Sequence, residues 1–144
     1  MKLKKIIAGA ALLVLGACST EPKRITQTDV SVQVNECIKG QYKALQNVDA
    51  IPIFASMTFS HASKKCHKVA EYLRAMDTTG ANQSVLAIRV PAETAFDHIG
   101  EGMGLISQGL RDGDDQIIDL GLEMYKLGTH ELHEINDGLN GEQN

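Results

Sequence analysis

The sequence predicts a mainly helical domain of about four helices over residues 29–140, clamped by one disulfide, with a small α+β fold as the alternative. Three observations lead there. Apolar residues recur at three- and four-residue spacing in two long stretches, Ala62 to Met76 and Ile117 to Ile135, which is the pattern of a helix with one buried face. Cys37 and Cys66 both fall on apolar stripes, so a bridge between them would hold two helices face to face. Strand-like signals are confined to short pieces, of which 51–59 and 84–90 are the strands of the α+β alternative.

The chain opens with Met1-Lys-Leu-Lys-Lys, followed by a nearly unbroken apolar run from Ile6 to Leu15 and then Leu15-Gly16-Ala17-Cys18. The positive charges of Lys2, Lys4 and Lys5 would stay on the cytoplasmic side. About ten apolar residues cannot span a hydrocarbon core of roughly 30 Å as a helix. A basic start, a short apolar run and small residues at its end are the pattern of a removed signal. The Leu-Gly-Ala-Cys tetrapeptide resembles the lipobox of bacterial lipoproteins, over residues 1–19 only. The resemblance implies cleavage before Cys18, a diacylglycerol on the Cys18 thiol and a further acyl chain on its amine. Two or more acyl chains anchor a protein stably, whereas one binds only marginally. Ser19 follows the cysteine, which resembles the default sorting to the outer membrane with the body on the periplasmic face. Residues 1–17 are thus expected to be the signal peptide, and 18–28 the lipidated N-terminus and a flexible tether rich in polar residues.

The remaining elements follow in order. Thr28 or Asp29 can cap a first helix on which Val34, Cys37, Ile38, Leu45 and Val48 fall at helical spacing, although Val30, Val32 and Val34 also alternate as in a strand. Ile51 to Phe59 contains Pro52 and reads as an edge strand or an apolar connection. Ser60 is a plausible N-cap for the helix carrying Ala62, Cys66, Val69, Leu73 and Met76. Asp77 to Ser84 is a loop by composition. Val85 to Val90 reads as a short strand, and Pro91 as the first residue of the next helix. Gly100, Gly102, Gly104, Gly109 and Gly113 imply either a break in that helix or close contact with a neighbour, because each interior glycine costs about 1 kcal/mol relative to alanine. The last helix, Asp114 to about Asp137, presents Ile117, Gly121, Met124, Gly128, Leu132 and Ile135 on one face, with Asp114 and Asp115 suited to its positive end.

The chain from Cys18 to Asn144 is 127 residues, the length of one domain. It has no tryptophan and only three tyrosines and three phenylalanines, so the core falls to aliphatic residues, methionine and alanine. Charge is unevenly divided, with a net +3 over residues 19–76 and −10 over 77–144. The acidic second half argues against nucleic acid, which requires clustered Lys and Arg. Cys37 and Cys66, 29 positions apart, are an even pair in an exported chain and read as one bridge, worth roughly 3.5 kcal/mol on the chain-entropy model.

Chemistry-bearing motifs are sparse. His130-Glu-Leu-His133-Glu134 places two imidazoles three apart on one helix face, the candidate site for zinc or copper with His98 in support. It is not the His-Glu-x-x-His pattern of zinc proteases. His61, Cys66 and His67 form a second, weaker metal candidate. Asp112, Asp114, Asp115 and Glu123 faintly echo a calcium loop, but Ile117 stands where the sharp-turn glycine is required. No nucleophile elbow, Walker loop or dinucleotide fingerprint is present. The expectation is therefore a non-enzymatic envelope lipoprotein without a cofactor beyond its covalent lipid. It would be held to the bilayer by Cys18, with its helical body engaging another envelope protein or a second copy, the long last helix being the expected docking or self-association face. The alternatives are a periplasmic metal-binding lipoprotein using His130 and His133, and an accessory or prophage-type envelope exclusion lipoprotein.

Overall fold

Thr26 starts the first helix through a reciprocal pair of contacts: its hydroxyl accepts from the Asp29 N–H, and the Asp29 carboxylate accepts from the Thr26 N–H at 2.9 Å. Such a capping box satisfies two donors that a helix N-terminus otherwise leaves open. The helix therefore begins inside the stretch expected as tether, two residues ahead of Asp29. The computed structural model describes residues 24–141, which form α1 (Gln27–Gln46), α2 (Pro52–Ala75), α3 (Gln83–Asp112) and α4 (Asp115–Gly141). The signal peptide, Cys18 and the tether as far as residue 23 lie outside the described residues.

The mainly helical expectation holds, and the described residues contain no strand. A single isolated bridge pairs Ile25 with Met76, beside a hydrogen bond of 3.0 Å from the Asp77 N–H to the Ile25 carbonyl. Several local expectations are corrected. Val30 and Val34 are buried on α1 while Val32 is exposed, so the alternation there is half of a helical pattern. The 51–59 stretch is the start of α2, because Pro52 occupies the first helical position, where its missing N–H costs nothing. Ser60 lies inside α2 rather than at its start. The 84–90 stretch belongs to α3, which Asn82 caps by accepting from the Val85 N–H at 2.9 Å. Pro91 lies inside α3, where it removes one donor for the Ala87 carbonyl. Ala87 is exposed, so water can take that donor's place.

Successive helices run antiparallel and pack in chain order, α1 on α2, α2 on α3 and α3 on α4. The N-terminus of α1, the α2–α3 loop and the C-terminal part of α4 therefore share one end, and the α1–α2 and α3–α4 connections share the other. The core lies in two adjoining clusters. Cys37, Cys66, Val69, Phe96 and Ile99 anchor the first; Ala44, Phe59, Ala62, Met103 and Ile106 form the second toward the connection end.

The glycines of α3 resolve into two sets facing opposite neighbours. A Cβ at Gly100 would lie 2.8 Å from the His67 ring, and one at Gly104 3.1 Å from the Ser63 hydroxyl, both on α2. A Cβ at Gly102 would lie 2.5 Å from the Tyr125 backbone nitrogen, and one at Gly109 2.8 Å from the Ile118 nitrogen, both on α4. Gly121 and Gly128 answer from α4 against the α3 backbone. Gly102 and Gly109 are seven apart, as are Gly121 and Gly128, so two helices meet backbone to backbone once every two turns. The helix does not break until Gly113, whose left-handed φ of 68° ends it. No described helix is long and apolar enough to cross a membrane.

Candidate functional site

The end of the body opposite the N-terminus of α1 carries several exposed apolar side chains. Ile38, Tyr42 and Leu45 project from the last turns of α1. Val48 and Ile51 continue the surface through the connection, and Ile53, Phe54 and Met57 close it on the first turns of α2. Tyr42 is 65% exposed, Phe54 58% and Met57 61%. The backbone explains why they stand out. The inner side of this hairpin is filled by Ala44, Ala55 and Phe59, so the remaining large residues face outward. Single apolar residues are ordinary on a surface, but eight large ones exposed within residues 38–57 are a density that makes this end a candidate interaction surface. Lys39 and Lys43 flank it and are exposed. Lys39 contacts Glu36 at 3.0 Å, and Glu36 also holds Lys65 of α2 at 2.9 Å. Hydrogen bonding to Lys65, then to Lys39, keeps the Glu36 carboxyl below its ordinary range.

A second apolar feature lies at the N-terminal end, where all four helices converge on a half-open cavity of about 100 Å³. Val30 and Val34 come from α1, Leu73 and Met76 from the end of α2. Val85, Ile88, Ala92 and Phe96 come from α3, Leu132 and Ile135 from α4. The polar members of this lining are Gln27 and Arg89. Arg89 is held by its Nη1, which donates to the carbonyls of Leu73 at 3.2 Å and Arg74 at 3.3 Å, closing the C-terminus of α2.

Charged groups between the helices act as clamps. Arg74 on α2 donates to Glu93 at 2.7 Å and Asp97 at 3.2 Å on α3, and Asp97 also meets His67 at 3.1 Å. The hydrogen bond to Glu93, foremost, raises the Arg74 guanidinium further above its ordinary value. His98 on α3 meets Glu131 on α4 at 2.7 Å. Burial pushes the Tyr125 phenol up.

The residues singled out in the sequence are placed as follows. Cys37 and Cys66 meet across the α1–α2 interface at disulfide distance, fully buried, with Cα atoms 4.7 Å apart. Cys66 is therefore turned away from a metal role with His61 and His67. His130 and His133 are exposed on α4, and each approaches an acid four residues on, Glu134 at 3.6 Å and Asp137 at 3.3 Å. His98 is engaged with Glu131 instead of joining them. Among the described residues no group of three or more His, Cys, Asp or Glu converges as a metal cage. Asp114 caps α4, accepting from the N–H groups of Gln116 at 3.0 Å and Ile117 at 3.2 Å, while Asp115 lies in the first turn of α4 and Asp112 meets Arg111 at 3.2 Å. Neither apolar surface was anticipated from sequence, which pointed to the last helix, now α4, as the docking face. The signal for the hairpin surface was present in the apolar-rich Ile51–Phe59 stretch, but that stretch reads as an edge strand or a connection until the partners of its inner side are known.

No protein-family model, no curated protein and no solved structure matches this chain.

Proposed function

We propose that this chain is a non-enzymatic lipoprotein of the bacterial envelope, anchored through Cys18 at the periplasmic face of the outer membrane. In this reading its helical body docks an envelope protein through the α1–α2 hairpin. The supporting observation is the exposed apolar surface of Tyr42, Leu45, Ile51, Phe54 and Met57 at the end of the body opposite the entry of the tether. A lipid on Cys18 would place that end away from the bilayer by the length of α1, about 30 Å for 20 residues. Apolar side chains that far from the anchor favour burial against a protein as what covers them. Lys39 and Lys43 at the flank select a partner whose apolar face is rimmed by carboxylates.

The test is site-specific photo-crosslinking in the native envelope, with the crosslinker at Tyr42 or Phe54 and a control at exposed Glu134. One adduct at both hairpin positions, absent at Glu134 and lost in Phe54→Lys, supports docking. Identical adducts at all three positions, or none, would overturn it. The anchor is read separately: labelled palmitate should enter the wild-type chain and not Cys18→Ser.

A further inference from the structure

We infer that the cavity where the four helices converge is a binding site for a single-chain alkyl carboxylate, with its chain among Val34, Phe96, Leu132 and Ile135 and its head group at Arg89. The lining is almost entirely carbon, contributed by all four helices, with Gln27 and Arg89 as its polar residues, so little in it would hold water. An apolar space that does not hold water can accept an apolar ligand.

The cavity is half open, and its one charged lining residue is Arg89. Two Arg89 bonds to the Leu73 and Arg74 carbonyls fix the guanidinium in place. Its Nε and Nη2 donors have no protein partner among the described residues, and a planar guanidinium offers them in the geometry that a carboxylate takes. Gln27 adds a second polar side chain to the lining. A neutral hydrocarbon would make no use of the remaining Arg89 donors, and a polar anion would leave the walls unfilled. An amphiphile with one alkyl chain and an anionic head matches both. The volume sets the length. An apolar cavity of roughly 150 Å³ takes benzene, so about 100 Å³ takes the first several carbons of a chain, and any further carbons lie outside.

The experiment is a titration of the full-length protein, held in lipid nanodiscs, with straight-chain carboxylates from butyrate to decanoate. It is read from the methyl signals of Val34, Leu132 and Ile135. Saturable shifts at these methyls are expected, with affinity rising about fourfold per added methylene until the cavity is full and then levelling. Arg89→Gln should weaken binding about tenfold with unchanged helicity. Ala92→Phe, which fills the space, should abolish it. The alcohol of equal chain length should bind about tenfold more weakly than the acid. No saturable shift in the wild type, equal affinity for acid and alcohol, or equal affinity in wild type and Arg89→Gln would each overturn the assignment.

Discussion

The α3–α4 and α1–α2 interfaces join neighbouring antiparallel helices by opposite means. On the α3–α4 side, Gly102, Gly109, Gly121 and Gly128 remove side chains altogether, and the two backbones touch once every two turns. Attraction there is spread over many close atomic contacts, each worth only ~0.1–0.2 kcal/mol. On the α1–α2 side only Gly40 plays that part, where a Cβ would lie 3.2 Å from the Ala62 Cα. The interface is supplied instead by one sulfur pair, Cys37 with Cys66, and one part-buried ion pair, Glu36 with Lys65. The outer helix with dense packing needs no covalent tie; the outer helix that leaves its tip uncovered has one. A helix committed to presenting apolar surface outward buries less of itself, and a crosslink compensates through the unfolded state.

The largest expected effect comes from breaking the tie. Replacing both Cys37 and Cys66 by alanine should lower the unfolding free energy by roughly 3.5 kcal/mol, as measured by urea denaturation of the otherwise unchanged protein. Hydrogen exchange should show the loss concentrated in α1, with α3 and α4 amides retaining their protection. Uniform loss across all four helices would mean that the tie stabilises the whole body and that the two sides do not differ.

The next effect tests the glycine side. A Cβ at Gly121 would lie 2.8 Å from both the Gly102 carbonyl oxygen and the Ile106 nitrogen, which are backbone atoms that cannot swing away. Gly121→Ala should therefore cost about 1–3 kcal/mol through overpacking, despite the better helix propensity of alanine. Gly138 is on the same helix with nothing within 4 Å, so Gly138→Ala should gain up to about 1 kcal/mol. Opposite signs within one helix, read by thermal denaturation, would establish that backbone approach and not composition retains the glycines. The same sign at both positions would refute it.

How much of this was legible depends on how far apart the cooperating residues lie. The Ala62–Met76 stripe announces a helix because its evidence sits within four turns, and the buried set Ala62, Cys66, Val69 and Leu73 follows that stripe. The bridge was also legible, since two cysteines on two apolar stripes can meet only if the helices pair. Pro52 and Pro91 misled because proline is read by position: one opens α2 and the other is tolerated inside α3 at an exposed face. The spacing of the α3 glycines is visible, but assigning alternate ones to α2 and α4 requires knowing that α3 lies between them. The cavity draws on residues from Gln27 to Ile135 and exists only where four helix ends meet, so no local pattern could announce it.

The smallest effect distinguishes the two sides by pH. The Glu36 carboxyl, on the α1–α2 side, is held below its ordinary value by hydrogen bonds to Lys65 and then Lys39. A carboxyl lowered on folding contributes stability that is complete above its unfolded value, here 4.5, and that fades as the pH falls through the lowered folded value. Asp77, held down foremost by the Thr79 N–H and further by Arg24, behaves alike from 3.8 downward. Both groups are exposed to solvent, so each contribution is small and screened by salt. Lys65→Met removes the α2 end of the bridge and leaves Asp77 untouched. Denaturation midpoints from pH 7 to pH 2 should fall for the wild type below about pH 4.5, and fall less for Lys65→Met over the same window. The gap between the two proteins should narrow in 1 M salt. Superimposable pH profiles would show that Glu36 and Lys65 merely sit side by side, leaving the sulfur pair and the buried contacts around it as what holds α1 to α2.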